Sequence, residues 1–391
     1  RELKKMNGYY DALVPFKNQL KCTDTLTAVW ITVQCPSRVP VGKYHQTIKI
    51  EGSKHFTIQL DYNVHHTTIP LKSSIPITVG VENRCMTECL NDKEADKERQ
   101  RWVDFVLSYR MTPVFGTQIT PERWQYEHSF SPWAWNDKRS IRLLNDRRYS
   151  CYMLPFFTLS ENELASLLCN IQKKGKLKES LFYIWDEPAY MEDYEQIKRK
   201  VNIIRKYASD ARILTTFFCG PRNGPRKGDL YAVFDYLKHH IHVATISLAP
   251  CKGNEEEVQH IRYKVPEGID WWSYVCWQPG GNEPNFLLQM KGIQQRAIMW
   301  RTWKNGSQGF LYWNCNIYHK RNPFTYITDM PHGDGILIYP GDILGCKGPI
   351  ASARLERWRD GAEEMELLRL VEKNYSKEKA DTLLNIVYSS P

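Results

Sequence analysis

The sequence lacks several features that would assign it to a common functional class. It contains no run of about 18 apolar residues, which argues against a transmembrane helix. No GxGxxG or GxxxxGK[ST] motif follows a predicted strand, so a nucleotide-binding fold loses support. The sequence has no CxxC pair, which disfavours a zinc site of that spacing, and no long Lys/Arg block of the kind found in nucleic-acid-binding arms. It also has no Lys at the end of a predicted strand in a setting that suits a Schiff base, which disfavours a lyase of that type.

The net charge and the first residue of the chain exclude fewer partners and cellular locations. The chain has 53 basic and 44 acidic residues, a formal net charge of +9, which favours anionic partners weakly. The charges are dispersed, as on an ordinary solvated surface, and we expect no nucleic-acid partner. The chain begins at Arg1 rather than Met, which indicates a truncated or processed N-terminus and leaves a secreted or other extracytoplasmic location open.

Aromatic residues are unusually frequent, with 13 Trp, 22 Tyr and 14 Phe. Core packing accounts for many of them. Sugar-binding clefts account for such an excess equally well, because the apolar C–H face of a pyranose stacks on an indole ring. Composition alone does not decide between these two explanations.

The pattern of apolar residues predicts two regions. Residues 1–82 contain short alternating runs at 27–33, 42–51 and 55–64, separated by Pro and Gly, which predict an N-terminal β-sandwich that is incomplete at its start. Residues 83–391 contain eight apolar runs, mostly 30–40 residues apart, followed by terminal helices. Such repeated βα units favour a (β/α)₈ barrel over a doubly wound sheet. The eight runs are 109–115, 151–158, 181–185, 212–218, 241–248, 271–276, 309–314 and 335–339.

The sharpest local feature is a pair of acids at the end of one predicted strand. Asp186 and Glu187 follow the apolar run 181–185, and Pro188 cannot continue a central ladder. The acids are therefore expected at the carboxyl end of a barrel strand, where active sites of this fold are built. The alternative is that Asp186 caps the next helix and Glu187 faces solvent.

Adjacent carboxyl groups suit one kind of glycoside hydrolysis better than another. Two-carboxylate glycosidases usually place their acids on opposite sides of the scissile bond. In substrate-assisted hydrolysis the 2-acetamido oxygen of the sugar attacks the anomeric carbon. One acid protonates the leaving oxygen and its neighbour stabilises the acetamido N–H.

Further aromatic and amide groups fall at or near the ends of other predicted strands. They are Trp271, Trp272, Tyr274, Trp313, Asn316 and Tyr318. We expect at least three of the five aromatic residues to line one cleft with the acids, because the carboxyl ends of barrel strands share one mouth. Trp271 and Trp272 cannot both point inward if their strand is regular.

At this point the motifs, taken in order, resemble glycoside hydrolase family 123, a family of β-N-acetylgalactosaminidases. They are WDEP (185–188), DWWSYVCWQP (270–279), RTWKNGSQGFLYWNCNIY (301–318), GDGILIYPG (333–341) and GPIASARLERWRDGAEEMELL (348–368). The likeness spans roughly residues 180–370, with weaker similarity at 10–15 and 39–44 to the family's N-terminal β-sandwich. Arg110 falls where the family often carries an Arg.

The resemblance implies a β-sandwich followed by a catalytic (β/α)₈ barrel that releases terminal β-linked N-acetylgalactosamine with retention and substrate assistance. The family's acid pair corresponds to Asp186 and Glu187, and its aromatic pocket corresponds less securely to the strand-end residues named above. No metal or cofactor is expected. Two alternatives stay open: another or an acidic, for example sulfated, amino sugar as substrate, and a carbohydrate-binding barrel without turnover.

Overall fold

The structure is a computed structural model, and it describes residues 1–6, 8–17, 19–20, 27–36, 38–120, 125–249, 260, 262–318, 321–323 and 330–389. No helix in these parts of the chain is both long enough and apolar enough to cross a bilayer.

The N-terminal region forms two separate antiparallel hairpins. Strands β1 (Glu2–Met6) and β2 (Tyr9–Val14) pair with each other, and β3 (Gly42–Glu51) pairs with β4 (His55–Val64) along its whole length. The predicted runs 42–51 and 55–64 are confirmed, whereas the run 27–33 contributes only a bridge between Val29 and Glu2. Two packed sheets of a sandwich are not seen among the described residues of this region.

The following strands form one nine-stranded sheet that curls into a nearly closed barrel. The strands are β5 (Ile77–Glu82), β6 (Thr112–Thr120), β7 (Gln125–Ser129), β8 (Tyr152–Met153), β9 (Ser180–Tyr183), β10 (Ile213–Phe217), β11 (Val243–Ser247), β12 (Asp270–Val275) and β13 (Phe310–Tyr312). Their order is β7-β6-β5-β13-β12-β11-β10-β9-β8, and only β7 is antiparallel to its neighbour. The backbone N–H of Phe130, just after β7, donates to Met153 of β8 at 2.6 Å and bridges the remaining seam.

Eight of these strands are parallel, and the sequence prediction located seven of them. The first barrel strand is β5, so the predicted boundary at residues 82/83 falls at the end of a barrel strand rather than between two domains. The predicted eighth strand, 335–339, is wrong. Strand β14 (Ile338–Pro340) instead pairs with β15 (Pro349–Ala351) in a separate antiparallel ribbon.

Helices connect the strands and close the C-terminal side. They are α1 (Asn83–Thr87), α2 (Asp92–Ser108), α3 (Lys138–Leu143), α4 (Glu161–Lys173), α5 (Met191–Arg205), α6 (Ala232–Leu237), α7 (Gly292–Arg296), α8 (Ile298–Lys304), α9 (Ala353–Asn374) and α10 (Lys377–Val387). The capping box predicted by the Ser160/Glu163 spacing is present at α4: Ser160 Oγ accepts the Glu163 N–H at 3.3 Å, and Glu163 Oε2 accepts the Ser160 N–H at 2.9 Å.

Alternation along the strands separates the barrel interior from the layer under the helices. On β12, Trp272 and Tyr274 face the interior and pack with Leu311 of β13, whereas Trp271 and Val275 pack in the outer layer. Side chains of a strand point to opposite faces in turn, so interior positions near the carboxyl ends of the strands are the ones that reach the barrel mouth.

Candidate active site

Asp186 lies three residues beyond β9 and is held by two hydroxyl groups. Its Oδ1 accepts the Tyr183 hydroxyl at 2.6 Å and the Thr216 hydroxyl at 2.8 Å. Burial, and then the charge of Asp186, raise the pKa of Tyr183 well above its usual value, so this phenol stays a donor. Oδ2 of Asp186 accepts no hydrogen bond from the described residues, and the side chain is exposed and lines the cleft.

Glu187 is half-buried beside Asp186, and its carboxyl group has a different partner. Tyr274, on the interior face of β12, donates its hydroxyl to Glu187 Oε1. Burial, and then the negative charge of Asp186, raise the pKa of Glu187 to about 7, against the opposing effects of the Tyr274 hydrogen bond and the Arg222 charge. A carboxyl group with such a pKa is a proton donor near neutral pH.

The turn between the two acids is unusual in its backbone. Glu187 has a φ of +43°, a left-handed conformation that is rare for a side chain of this size. Its backbone N–H donates to Thr216 Oγ1 at 2.9 Å, so the neighbouring strand β10 supports the turn. Outliers of this kind persist only where surrounding contacts hold them, and they concentrate at functional sites.

The helix that follows is capped by another acid, Asp193. Its Oδ2 accepts the backbone N–H groups of Ala189 and Tyr190, both at 2.9 Å, just before α5 begins. The alternative in which Asp186 caps this helix and Glu187 faces solvent is therefore wrong.

A cleft of about 1170 Å³ opens at this end of the barrel and is lined by both acids. Its volume is at the upper end for small-molecule sites and leaves room for more than one sugar ring. The aromatic and basic residues in its wall are Tyr126, His128, Phe157, Tyr183, Trp185, Tyr190, Tyr312, Trp313, Lys200 and Arg222.

One wall of the cleft comes from β7, the antiparallel strand. His128 stacks on Tyr183 with ring centroids 4.4 Å apart and planes 12° apart, and Tyr126 lies 6.3 Å from His128. Burial lowers the pKa of His128 to about 4, so this ring is neutral near pH 7. His128 thus packs against the ring of Tyr183, whose hydroxyl donates to Asp186.

Two of the five predicted aromatic residues reach the site. Tyr274 contacts Glu187 directly, and Trp313 lines the cleft with its Nε1–H donating to Asp334 Oδ1 at 2.9 Å. Behind the indole lies Gly335, with a φ of +68°, where a Cβ would come within 2.6 Å of the ring. Only glycine fits at this position, and the turn at Gly335 therefore packs directly against the indole ring of Trp313.

The other predicted residues are buried away from the acids. Trp271 faces the outer layer, and Trp272 lies about two residues, roughly 7 Å, deeper in the barrel than Tyr274, where it packs against Gly309 at the start of β13. Asn316 uses its amide to bind the backbone N–H and C=O of Glu82 at 2.8 and 3.2 Å. Tyr318 is buried among apolar residues of β2, β14 and β15. The expectation that three of the five aromatics line the cleft is therefore wrong.

Arg110 also lies outside the cleft. It precedes β6, so it is at the amino end of the barrel, opposite to the acids. Its guanidinium group donates to Pro70 O at 2.7 Å and lies 3.5 Å from Glu366. The prediction that Arg110 binds substrate, which came from the family resemblance alone, is wrong, because this residue lies at the amino end of the barrel.

Sequence reasoning missed Tyr183, Thr216, His128 and Arg222. A signal existed for Tyr183, since alternation from the buried Leu181 places it on the interior face near the acids. Thr216 lies within the apolar run 212–218 and shows no distinguishing pattern, and β7, which carries His128, was not recognised as a strand. Arg222 lies in the loop after β10 with its guanidinium 5.8 Å from the centre of the Tyr190 ring.

Comparison with protein families gives one match over most of the chain. The model of the glycoside hydrolase 123 catalytic domain matches residues 97–371. No curated protein matches the sequence significantly.

Among solved structures, the fold is similar to a family 123 glycoside hydrolase from Clostridium perfringens, described for glycolipid glycan hydrolysis. The TM-score is 0.61 at 16% identity, and the alignment covers 89% of this chain and 70% of that one. A β-D-glucuronidase from Dictyoglomus thermophilum aligns with a TM-score of 0.41 at 10% identity, covering 81% of this chain and 57% of that one. The first likeness supports the barrel fold; the second is too distant to support any inference.

Proposed function

The chain belongs to glycoside hydrolase family 123, and we propose that it releases terminal β-linked N-acetylgalactosamine from glycans by a retaining, substrate-assisted mechanism. The observation that carries this proposal is that the two adjacent acids have different hydrogen-bond partners and different burial. Asp186 is held by two hydroxyl donors and open on one oxygen, whereas Glu187 is half-buried and bound by one phenol.

Glu187 acts as the general acid. Its pKa of about 7 leaves a large fraction protonated at neutral pH, so it can pass a proton to the glycosidic oxygen as the bond breaks. Once deprotonated, the same carboxylate can take a proton from the water that opens the intermediate. Tyr274 keeps the carboxyl group oriented through both steps.

Asp186 orients the 2-acetamido group. Tyr183 and Thr216 both donate to Oδ1, which fixes the plane of the carboxylate and leaves Oδ2 to accept the acetamido N–H. The amide oxygen is then turned toward the anomeric carbon, and the positive charge of the oxazolinium-like intermediate forms next to a carboxylate. Trp313 offers an indole face in the same cleft on which a sugar ring can stack.

The adjacency of the acids favours this mechanism over direct attack by a carboxylate. In two-carboxylate retaining enzymes the acid and the nucleophile approach the anomeric carbon from opposite sides. Asp186 and Glu187 follow one strand and share contacts with one side of the barrel mouth, so the sugar's own amide is the better-placed nucleophile.

Hydrolysis of chromogenic glycosides tests the proposal. We expect cleavage of an aryl β-N-acetylgalactosaminide, β-configured product at early times by NMR, and inhibition by the corresponding thiazoline. Equal cleavage of the glycoside that lacks the 2-acetamido group would contradict substrate assistance. Preference for the β-N-acetylglucosaminide would change the sugar but keep the mechanism, and substrate binding without any turnover would favour a binding protein.

An anionic amino sugar is a second candidate substrate, and one observation favours it. Arg222 lines the cleft, and its positive charge lowers the pKa of Glu187. A sulfate or carboxylate on the glycan could pair with this guanidinium group. Comparing a 6-sulfated with an unsubstituted aryl β-N-acetylgalactosaminide tests it, with Arg222→Gln as the control: only wild type should prefer the sulfated sugar.

A further inference from the structure

The hydroxyl group of Thr216 lies between the two acids. Thr216 is buried at the carboxyl end of β10, the strand beside β9. Its Oγ1 is 2.8 Å from Asp186 Oδ1, 2.9 Å from the backbone nitrogen of Glu187 and 3.1 Å from the Tyr183 hydroxyl oxygen. No other side chain in the described part of the chain forms hydrogen bonds to both residues of the acid pair.

The roles of these contacts follow from the single proton that a hydroxyl carries. The Glu187 N–H is a donor, so Thr216 Oγ1 accepts there, and its own proton goes to the Asp186 carboxylate. Tyr183 donates to the same carboxylate oxygen. One hydroxyl thus joins the side chain of one acid to the backbone of the other.

The backbone contact matters because of the strained turn. Glu187 has a φ of +43°, which costs free energy unless neighbouring groups hold it. Without the Thr216 oxygen, its N–H would lose a partner in a partly buried position, and the turn would be free to relax. The carboxyl group of Glu187 and the Asp186 oxygen that faces the cleft would then change direction together.

We propose that Thr216 is a positioning residue that sets the relative orientation of Asp186 and Glu187, and so aligns the acetamido group with the leaving oxygen. This inference rests on the proposed function, because only a mechanism that uses both acids in one step requires their mutual alignment. Thr216 itself does not line the cleft, so it acts on the substrate through the acids that it contacts.

The chain offers a matched control in the preceding residue. Thr215 is also buried on β10, but it faces away from the barrel interior and its hydroxyl has no hydrogen-bond partner among the described residues. Thr→Val keeps the branched shape of the side chain and replaces the hydroxyl with a methyl group, which forms no hydrogen bond. Thr216→Val therefore tests the hydrogen bonds, and Thr215→Val tests the effect of the same change on packing and folding.

The experiment measures kcat, KM and thiazoline inhibition for an aryl β-N-acetylgalactosaminide, with thermal unfolding of each variant. Since small misalignments of reacting groups cost on the order of 10²-fold, we expect Thr216→Val to lower kcat by about that factor with little change in KM. The thiazoline inhibition constant should rise with it. Thr215→Val should match wild type in all three.

A second pair keeps the test decisive if Thr216→Val does not fold. Thr216→Ser and Thr216→Ala differ only by the hydroxyl oxygen, so Ser should retain most of kcat and Ala should lose it. Equal activities of Thr216→Val and Thr215→Val, or of the Ser and Ala variants, would overturn the Thr216 proposal alone. A wild type inactive on every β-N-acetylhexosaminide would overturn the proposed function, and the role of Thr216 with it.

Discussion

Two groups of charged residues in this molecule differ in how far their charges are compensated. Around Arg354, on α9, the guanidinium group binds Asp11 at 2.9 Å, the carbonyl oxygens of Phe286 and Gly333 at 2.7 and 2.8 Å, and that of Ile336. At the cleft, Glu187 lies next to Asp186, a group of the same sign. The first arrangement compensates its charges, and the second leaves one carboxyl group short of compensation.

The compensated group around Arg354 stabilises the fold, whereas the uncompensated carboxyl group of Glu187 suits the proposed catalytic role. Opposite charges with satisfied hydrogen bonds hold β2, α9 and the loop before β14 together, and that loop carries the Asp334 that binds Trp313. Burial, and then the like charge of Asp186, instead raise the pKa of Glu187, as is common for groups that transfer protons. Catalytic groups are often destabilising to the fold for this reason.

The largest effect is expected from breaking the compensated group. Arg354→Met leaves Asp11 buried without its cation, and removal of one partner of a buried pair costs about 3–5 kcal/mol. Denaturant unfolding should show a larger loss than for Arg369→Met on the same helix, which removes a partly exposed ion pair with Glu372 and a cation–π contact with Trp303. Equal stability of the two variants would mean that the Arg354 group does not hold the fold.

The next effect concerns the uncompensated group. Glu187→Gln removes the proposed general acid, so turnover of glycosides with poor leaving groups should fall by about 10²-fold or more. Activated aryl glycosides need little protonation and should lose less. Steady-state kinetics on a series of leaving groups measures this, and an equal loss across the series would argue against Glu187 as the acid.

The same variant should change stability in the direction opposite to Arg354→Met. The pKa of Glu187 is about 7 in the folded protein and near 4.5 when unfolded. The unfolded state therefore releases its proton first, and wild type loses stability as pH rises from about 4.5 to 7. Glu187→Gln should remove this loss, so its gain in unfolding free energy should appear at pH 8 and vanish at pH 4. A gain that is the same at both pH values would contradict the raised pKa.

The sequence predicted this contrast only in part. Pro188 after an apolar run placed the acids at the end of a strand, and the repeated runs predicted the barrel, because both signals are local. The run 335–339 has the same local appearance as a barrel strand but pairs with β15 instead. Strand pairing depends on residues that are distant in the chain, and the periodicity of one segment carries no information about them.

The partners of the acids were harder to predict than the acids. Thr216 reaches them from β10, the strand beside β9, and Tyr274 from β12, three strands away; they lie 29 and 87 residues further along the chain than Glu187. Arg110 shows the reverse case: its role was taken from the family resemblance, although the predicted run 109–115 already placed it at the start of a strand, as the structure does. Which end of a strand a residue occupies decides its role, and element boundaries are the least certain part of a sequence-based prediction.

The smallest effect is expected from the aromatic residues, where two tryptophans with the same sequence-based prediction lie in different places. Trp313 faces the cleft and is held by Asp334, whereas Trp271 packs under the helices. Trp313→Phe keeps an aromatic ring but loses the hydrogen bond and part of the stacking surface, worth about 0.5–1.5 kcal/mol, or roughly 2- to 10-fold in kcat/KM. Trp271→Phe should lower the unfolding temperature and leave kcat/KM near wild type, since no part of its ring reaches the acids. Kinetics and thermal unfolding of the two variants side by side separate these outcomes, and a loss of kcat/KM confined to Trp271→Phe would reverse the assignment of the cleft wall.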